Sequence, residues 1–282
     1  MPVLILAASP IGNPLDASER LKSALATVEF VAAEDSRRFG RLCQDLGITH
    51  NAKVISFFEG NESERLEMLM EILQSGKDLL VITDAGLPGV SDPGFRLARE
   101  AVARNIPLSV LPGPSAVTTA LLLSGIPTDR FAFDGFPPRT SGARLRWYEK
   151  LATEERTMIF FEAPHRLVES LHDLRTALGG DRQASISREM TKRYEETVRG
   201  SLDELIEWSE SKEVLGEITV VVAGYDPGET IHTEADFVEM VLARESAGEM
   251  RKEAIAAVAK ELGVQKRLVF DAMVHQKSND KI

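Results

Sequence analysis

Two α/β domains in tandem, closed by a small helical domain, are what this 282-residue sequence predicts. Three observations carry that expectation. Across the first 124 residues, short apolar runs alternate with amphipathic stretches, the pattern of a largely parallel sheet covered on both faces. The alternation resumes after Gly125-Ile126-Pro127-Thr128 and runs through residues 130–224. Beyond a linker at Tyr225-Asp226-Pro227-Gly228-Glu229 only helical patterns follow. The expected domains are 1–124, 125–228 and 229–282.

In the first domain strands are expected at 3–8, 30–33, 54–57, 79–83 and 108–111. Helices are expected at 18–26, 37–46, 63–75, 93–104 and 115–123. The opening run is too short for a membrane span and has no basic region before it, so it reads as a first strand. In the second domain, strands at 131–133, 157–161, 184–188 and 217–223 alternate with helices at 142–152, 164–178 and 201–210. The tail shows helical patterns at 234–245, 251–261 and 265–276, the last two separated by a turn containing Gly263. That layout is a helix-turn-helix, which serves equally as a plain helical cap or a nucleic-acid reader.

Composition narrows the function classes. Apolar residues make up 43% and charged residues 27%, the balance of a soluble globular chain, expected in the cytoplasm with no membrane partner. The net charge of −11 argues against a surface that binds nucleic acid throughout. Basic residues nevertheless cluster locally, with Arg139, Arg144, Arg146 and Lys150 against Glu149 alone. A single cysteine, Cys43, excludes an internal disulfide and a multi-cysteine metal site. Five histidines lack metal-ligand spacing apart from the weak pair His165/His172, so no metal is expected.

Chemistry concentrates in four loops that should leave one edge of the first sheet. They are Ala8-Ser9-Pro10-Ile11-Gly12-Asn13-Pro14, Ala33-Glu34-Asp35-Ser36-Arg37-Arg38, the run from Asp84 to Gly94, and Leu111-Pro112-Gly113-Pro114-Ser115-Ala116. The first is not Gly-x-Gly-x-x-Gly, so the familiar dinucleotide reading fails. The third holds three glycines, two prolines and two aspartates, far more backbone constraint than a plain turn needs. Its Ser91-Asp92 pair offers an N-cap ahead of Pro93. Rigid loops at the carboxyl ends of strands are where open α/β sheets bind ligands.

In order, Ala8-Ser-Pro-Ile-Gly-Asn13, Ala33-Glu-Asp-Ser-Arg37, Thr83-Asp-Ala-Gly-Leu-Pro-Gly-Val-Ser-Asp-Pro-Gly94 and Pro112-Gly-Pro-Ser-Ala116 resemble the tetrapyrrole methylases, the class III methyltransferases. Further motifs narrow the resemblance: Pro127-Thr-Asp-Arg-Phe131, Gly135-Phe-Pro-Pro-Arg139, Phe161-Glu-Ala-Pro-His-Arg166, Ser187-Arg-Glu-Met-Thr-Lys192 and Val198-Arg-Gly-Ser-Leu202. They are similar to the branch that methylates the ribose 2′-hydroxyl of a cytidine in 16S rRNA near the decoding centre. The resemblance covers about residues 2–224, and the tail is similar to that family's helical domain. Ser9, Ser36 and Leu87 stand where the family more often shows Thr, and Thr83 where it shows Ser.

The resemblance implies a ligand cleft between two α/β domains, S-adenosylmethionine as methyl donor, a homodimer, and 16S rRNA within the 30S subunit as partner. Donor-binding residues would be Pro10, Gly12, Asp84, Ala85, Gly86, Val90, Ser91, Pro112, Gly113, Ser115 and Ala116. From the second domain they would be Phe161, Glu162, Gly216 and Glu217. A sugar hydroxyl needs a group to take its proton, and Glu34, Asp35, Glu162, Glu189 and Lys192 are candidates, with Glu34 and Asp35 foremost. For that pair an ion pair with Arg37 or Arg38 is the competing reading. Arg37, Arg38, Arg139, Arg166, Arg188 and Lys192 sit in motif loops and suit phosphate binding, with His165 as a base-stacking candidate. Two rivals stand beside this: a corrinoid or porphyrin methylase of the same fold, and a ligand-sensing nucleic-acid-binding regulator.

Overall fold

The run Leu79-Leu80-Val81-Ile82 is apolar at every position because it lies at the centre of a sheet covered on both faces. The computed structural model describes residues 1–227, 234–262 and 266–279. These form two compact units, Met1–Ala223 and Gly224–Ile282.

The first sheet is built in chain order from β1 (Leu4–Ala7), α1 (Glu19–Thr27), β2 (Phe30–Ala33), α2 (Ser36–Asp45), β3 (Lys53–Ser56), α3 (Glu62–Gln74), β4 (Leu79–Ile82), α4 (Phe95–Ala103), β5 (Leu108–Leu111) and α5 (Ala116–Ser124). The strand order is β3-β2-β4-β1-β5 and every pairing is parallel. Alternation along β4 sends Leu79 and Val81 to the core of α3 and α4, against Leu69, Leu73 and Leu97. Leu80 and Ile82 face the other way, onto Leu21, Leu25, Phe39 and Cys43 of α1 and α2. Cys43 is thus a packing residue.

The second sheet follows from β6 (Phe131–Phe133), α6 (Ser141–Glu149), β7 (Thr157–Glu162), α7 (Leu167–Leu178), β8 (Gln183–Arg188), β9 (Glu196–Ser201), α8 (Leu202–Glu210) and β10 (Ile218–Val222). Its order is β6-β7-β10-β8-β9, with β6 and β7 parallel and the rest antiparallel. One face packs on α6, α7 and α8 through Tyr148, Leu171 and Leu205 against Phe160, Ile186 and Val220. The other face is covered by α5, whose Val117, Ala120 and Leu121 meet Ile159 and Val221. The last helix of the first sheet's series therefore belongs to the second sheet's core and holds the two sheets together.

Three elements depart from expectation. β9 is absent from the sequence reading because it is a polar, glycine-containing edge strand, and only its register with β8 (Glu196↔Arg188, Val198↔Ile186) defines it. Helix α4 begins at Phe95, not at 93, and its cap is Gly94 at φ +126 rather than Ser91 or Asp92. The Gly94 N–H donates to the buried Glu62 carboxylate (3.0 Å), so the cap partner comes from α3. The stretch expected as one helix over 164–178 is split into a 3-10 turn, Pro164–Arg166, and α7.

The second unit packs α9 (Glu234–Ser246), α10 (Arg251–Glu261) and α11 (Lys266–Asn279) around Phe237, Val241, Ile255, Val258 and Val269. The expected turn at Gly263 and the end of the linker, Gly228-Glu229, lie outside the described residues. Among the described residues no helix is long and apolar enough to cross a membrane.

Arg144, expected in a basic surface cluster, is fully buried. Its guanidinium Nε donates to Asp173 Oδ2 of α7 at 2.8 Å, with Nη2 in ion-pair contact 2.7 Å from the same oxygen, and Ser141 Oγ donates to the other carboxylate oxygen at 2.9 Å. Removing one member of such a pair strands the other charge away from water. Arg144→Ala should therefore cost about 3–5 kcal/mol in urea unfolding, while an apolar Arg144→Met/Asp173→Leu pair should be near neutral. Equal losses for both variants would show that packing, not the stranded carboxylate, sets the cost.

Candidate active site in the cleft between the sheets

Parallel pairing of β1, β2, β4 and β5 places the four motif loops at one edge of the first sheet. They are stitched to one another by backbone. Ser9 N–H donates to Gly86 O (2.8 Å), Gly86 N–H returns to Ser9 O (3.2 Å), and Ser9 Oγ donates to Thr83 O (2.9 Å). Side chains at these positions would obstruct the convergence: a Cβ on Gly113 would lie 3.0 Å from Ala8 Cβ. Across the cleft, Asn13 N–H donates to Thr191 Oγ1 (3.1 Å), tying the first loop to the connection after β8. In that connection Glu189 and Thr191 both adopt positive φ (51° and 64°), strain that these contacts hold in place.

The loops and the second sheet enclose a cavity of about 360 Å³. From the first sheet's side Ala85, Gly86, Val90, Ser91, Ser115 and Ala116 line it. From the second sheet's side Phe161, Glu162, Gly216 and Glu217 do. Asp84, Pro10, Gly12, Pro112 and Gly113 do not. Asp84 and Pro10 belong instead to a neighbouring pocket of about 40 Å³ with Glu34, Asp35 and Arg38. A Cβ on Gly12 would meet Lys192 Cγ at 2.5 Å, so close packing, not an open wall, accounts for that glycine. Sequence reasoning missed Ile11, Leu87, Asp92, Met190, Ile218 and Thr219. The apolar ones carry no chemical signature in a single sequence, and Asp92 reads there as a helix cap.

Ion pairs build the second wall. Glu162 is buried, accepts from the Ala163 N–H (2.8 Å) and pairs with Arg166 at 3.3 Å. The Arg166 side chain is only 14% exposed and also donates to the carbonyls of Pro137 and Pro138 (2.9 and 3.2 Å). Arg166 therefore anchors the Gly135–Arg139 loop; its donors do not face solvent, which corrects the expectation of phosphate binding. That anchoring holds the exposed Phe136 at the rim, its ring 5.6 Å from Phe161 in an edge-on contact. Lys192 bridges Glu189 (2.8 Å) and Glu217 (3.0 Å), and Gly216 at φ +94 leaves room for Glu189 where a Cβ would sit 2.4 Å from its Cγ. Arg188 is held by Glu196 at 2.7 Å. Lys192 and Arg188 are thus committed to carboxylates, whereas Arg139 and His165 are exposed with no side-chain partner among the described residues.

The expected catalytic pair divides. Asp35 is the N-cap of α2, accepting from the N–H of Arg37 (2.8 Å) and Arg38 (3.4 Å) and from the Arg37 guanidinium (3.1 and 2.7 Å). Those hydrogen bonds hold its carboxyl far below the usual range, so it is a poor proton acceptor, and the ion-pair reading describes it. Glu34 accepts from the Asp84 N–H (3.1 Å), and burial pushes its carboxyl up. Arg38 faces Asp84 at 3.4 Å. Asp92 differs from all of these. It lines the cavity, makes no hydrogen bond or ion pair among the described residues, and burial with the charges of Glu34, Asp84 and Glu217 pushes it up to about 7.

A cleft at the carboxyl edge of a parallel sheet, closed by a second mixed sheet, is the architecture of a class of methylases. The family model of the Tetrapyrrole (Corrin/Porphyrin) Methylases matches residues 3–206, and the chain belongs to that family. A solved uroporphyrin-III C-methyltransferase from Thermus thermophilus, complexed with S-adenyl homocysteine, shares the fold. It superimposes with a TM-score of 0.54 at 18% identity, over 79% of this chain and 97% of that one. Curated relatives are closer in sequence. "Ribosomal RNA small subunit methyltransferase I" of Mycobacterium tuberculosis (strain ATCC 25618 / H37Rv) is 46% identical over 97% of this chain and 95% of its own length. The protein so named in Pseudomonas aeruginosa is 41% identical over 95% of each. Within the tetrapyrrole methylases, the chain belongs to the ribosomal RNA small subunit methyltransferase I family.

The chain is accordingly an S-adenosylmethionine-dependent methyltransferase. The cavity suits that donor: its volume is in the range of small-molecule sites, and its walls are largely apolar, Ile11, Val90, Phe161 and Met190 among them.

The Asp92 carboxyl sets a pH dependence of stability. Its folded-state pKa of about 7 exceeds the ordinary 3.8, so between those values the folded chain binds more protons and stability falls as pH rises. Asp92→Asn carries no charge at either pH. Its melting temperature relative to wild type should therefore rise between pH 4 and pH 8. An unchanged difference at the two pH values would contradict the raised carboxyl.

Proposed function

We propose that this protein transfers a methyl group from S-adenosylmethionine to the ribose 2′-hydroxyl of a cytidine in 16S rRNA, near the decoding centre. The observation that carries the reading is similarity along almost the whole chain. Relatives named ribosomal RNA small subunit methyltransferase I match 95–97% of it, spanning the sheets and the helical unit together. Corrin and porphyrin methylases share the fold over 78–79% at 14–20% identity.

In this reading Ala85–Ser91, Ser115, Ala116, Phe161, Glu162, Gly216 and Glu217 hold the donor. When bound, S-adenosylmethionine supplies a methyl group already activated on cationic sulfur. The protein's own work is alignment and exclusion of water, for which the backbone-stitched loops and the Glu162–Arg166 pair provide fixed walls. Phosphates are gripped by exposed arginines, Arg139 first and then Arg37 and Arg38, whose side chains also reach Asp35 and Asp84. Phe136 and His165 at the rim offer flat faces to an unstacked base. The acceptor is the assembled 30S subunit, met by a homodimer.

The test is methyl transfer from radiolabelled S-adenosylmethionine to 30S subunits and to naked 16S rRNA, both from a strain lacking the gene, followed by ribose-methylation mapping. One new 2′-O-methylcytidine is the expected product. Donor binding with no label in RNA would redirect the assignment to a small-molecule methylase. Arg139→Ala should weaken RNA binding and lower the slope of log affinity against log salt by about 1, leaving donor binding unchanged. An unchanged slope would remove Arg139 from the phosphate contacts.

A further inference from the structure

Among the described residues, the cleft carries one carboxylate that nothing neutralises. Glu162 is paired with Arg166, Glu217 and Glu189 share Lys192, Asp35 is bound by Arg37, and Asp84 faces Arg38. Glu34 accepts a backbone N–H and lies in the smaller neighbouring pocket. Asp92 lines the main cavity with no such partner. Its position is fixed by backbone rather than by a side-chain contact. Ser91 before it takes φ +60, Gly89 N–H closes the loop on Pro93 O (3.1 Å), and Glu62 clamps the Gly94 N–H (3.0 Å). A loop of this rigidity holds a side chain in place without hydrogen-bonding it.

We propose that Asp92 is the proton acceptor of methyl transfer, taking the proton of the ribose hydroxyl as it attacks. The proposal rests on the substrate reading above. The hydroxyl oxygen forms a bond to the methyl carbon while the carbon–sulfur bond breaks. The bonding pair leaves with sulfur, which becomes a neutral thioether, and the hydroxyl proton ends on the Asp92 carboxylate as a neutral acid. The balance is complete with no other reactant. The charged groups acting on Asp92 are Glu34, Asp84 and Glu217, all acidic, and together with burial they raise its proton affinity. An acceptor whose pKa lies near the working pH is both substantially ionised and basic enough to assist.

The test compares wild type with Asp92→Asn on 30S subunits in single turnover at saturating donor, from pH 5.5 to 9. Wild-type rates should rise with pH and level off above neutrality. The variant should be slower by about 10²–10⁴-fold and lose that pH dependence. Two readouts stand apart from activity. Calorimetric donor affinity should stay within about threefold, and carbon NMR of the free wild-type protein should show an aspartate carboxyl titrating near neutrality that is missing from the variant. A variant that keeps the wild-type rate and pH profile overturns the proposal. So does one whose donor affinity falls in step with its rate, since Asp92 would then hold the donor. A wild-type enzyme that labels no ribose overturns the substrate reading and the proposal with it.

Discussion

Parallel pairing of Leu79–Ile82 between β1 and β2 is the constraint on which the rest of this structure depends. A parallel sheet needs crossover connections, so each strand starts at the same edge and each loop after a strand leaves from the opposite one. The four motif loops meet for that reason alone; they come from residues 8 to 116 and share no sequence neighbourhood. Burial of β4 on both faces then makes the edge rigid, because Leu79 and Val81 commit it to α3 and α4 while Leu80 and Ile82 commit it to α1 and α2. A register slip would break both cores at once.

The second wall depends on charge where the first depends on backbone. Its residues must cover a ligand while staying attached to a mixed sheet, and the chain achieves this with buried or half-buried ion pairs. Arg166 is hydrogen-bonded to the carbonyls of Pro137 and Pro138 and paired with Glu162, so one guanidinium sets both the Phe136 loop and the Glu162 carboxylate. Lys192 does the same for Glu189 and Glu217. Breaking either pair would leave a carboxylate partly buried without compensation, and the cavity lining would shift with it. Arg166, Arg188 and Lys192 are therefore architectural.

Much of the architecture is legible in sequence because periodicity reports burial directly. Strands 30–33, 108–111 and 131–133 stand where the apolar runs put them. The loops are legible because glycine and proline at that density answer to backbone geometry. What fails is whatever depends on a distant partner. Arg144 and Arg166 read as surface cations because Asp173, Pro137 and Pro138 lie about thirty residues away in sequence. Gly12 reads as a ligand contact, yet its space is taken by Lys192. Strand β9 has no apolar alternation, since an edge strand facing solvent needs none. Asp92 reads as a helix cap because Ser-Asp-Pro is a capping sequence, and only Glu62 reaching the Gly94 N–H shows that the cap is made elsewhere.

That last case bears on how the site is arranged. A cap would have given Asp92 a backbone partner and a lowered proton affinity, as α2 gives Asp35. The loop instead uses Gly94 at φ +126 as the cap and Glu62 as its hydrogen-bond acceptor, which releases Asp92 into the cavity. The two aspartates sit after neighbouring strands of the same sheet and differ in their partners and burial. One is bound by a helix and an arginine and stays ionised; the other is desolvated beside Glu34, Asp84 and Glu217 and holds its proton to about pH 7. An uncompensated carboxylate opposes folding at neutral pH, and a strained loop with Ser91 in the left-handed region adds to that cost. Both are tolerated because β4 and its two cores anchor the loop from behind. The destabilising features therefore fall in the segment best able to bear them, and that segment faces the cavity.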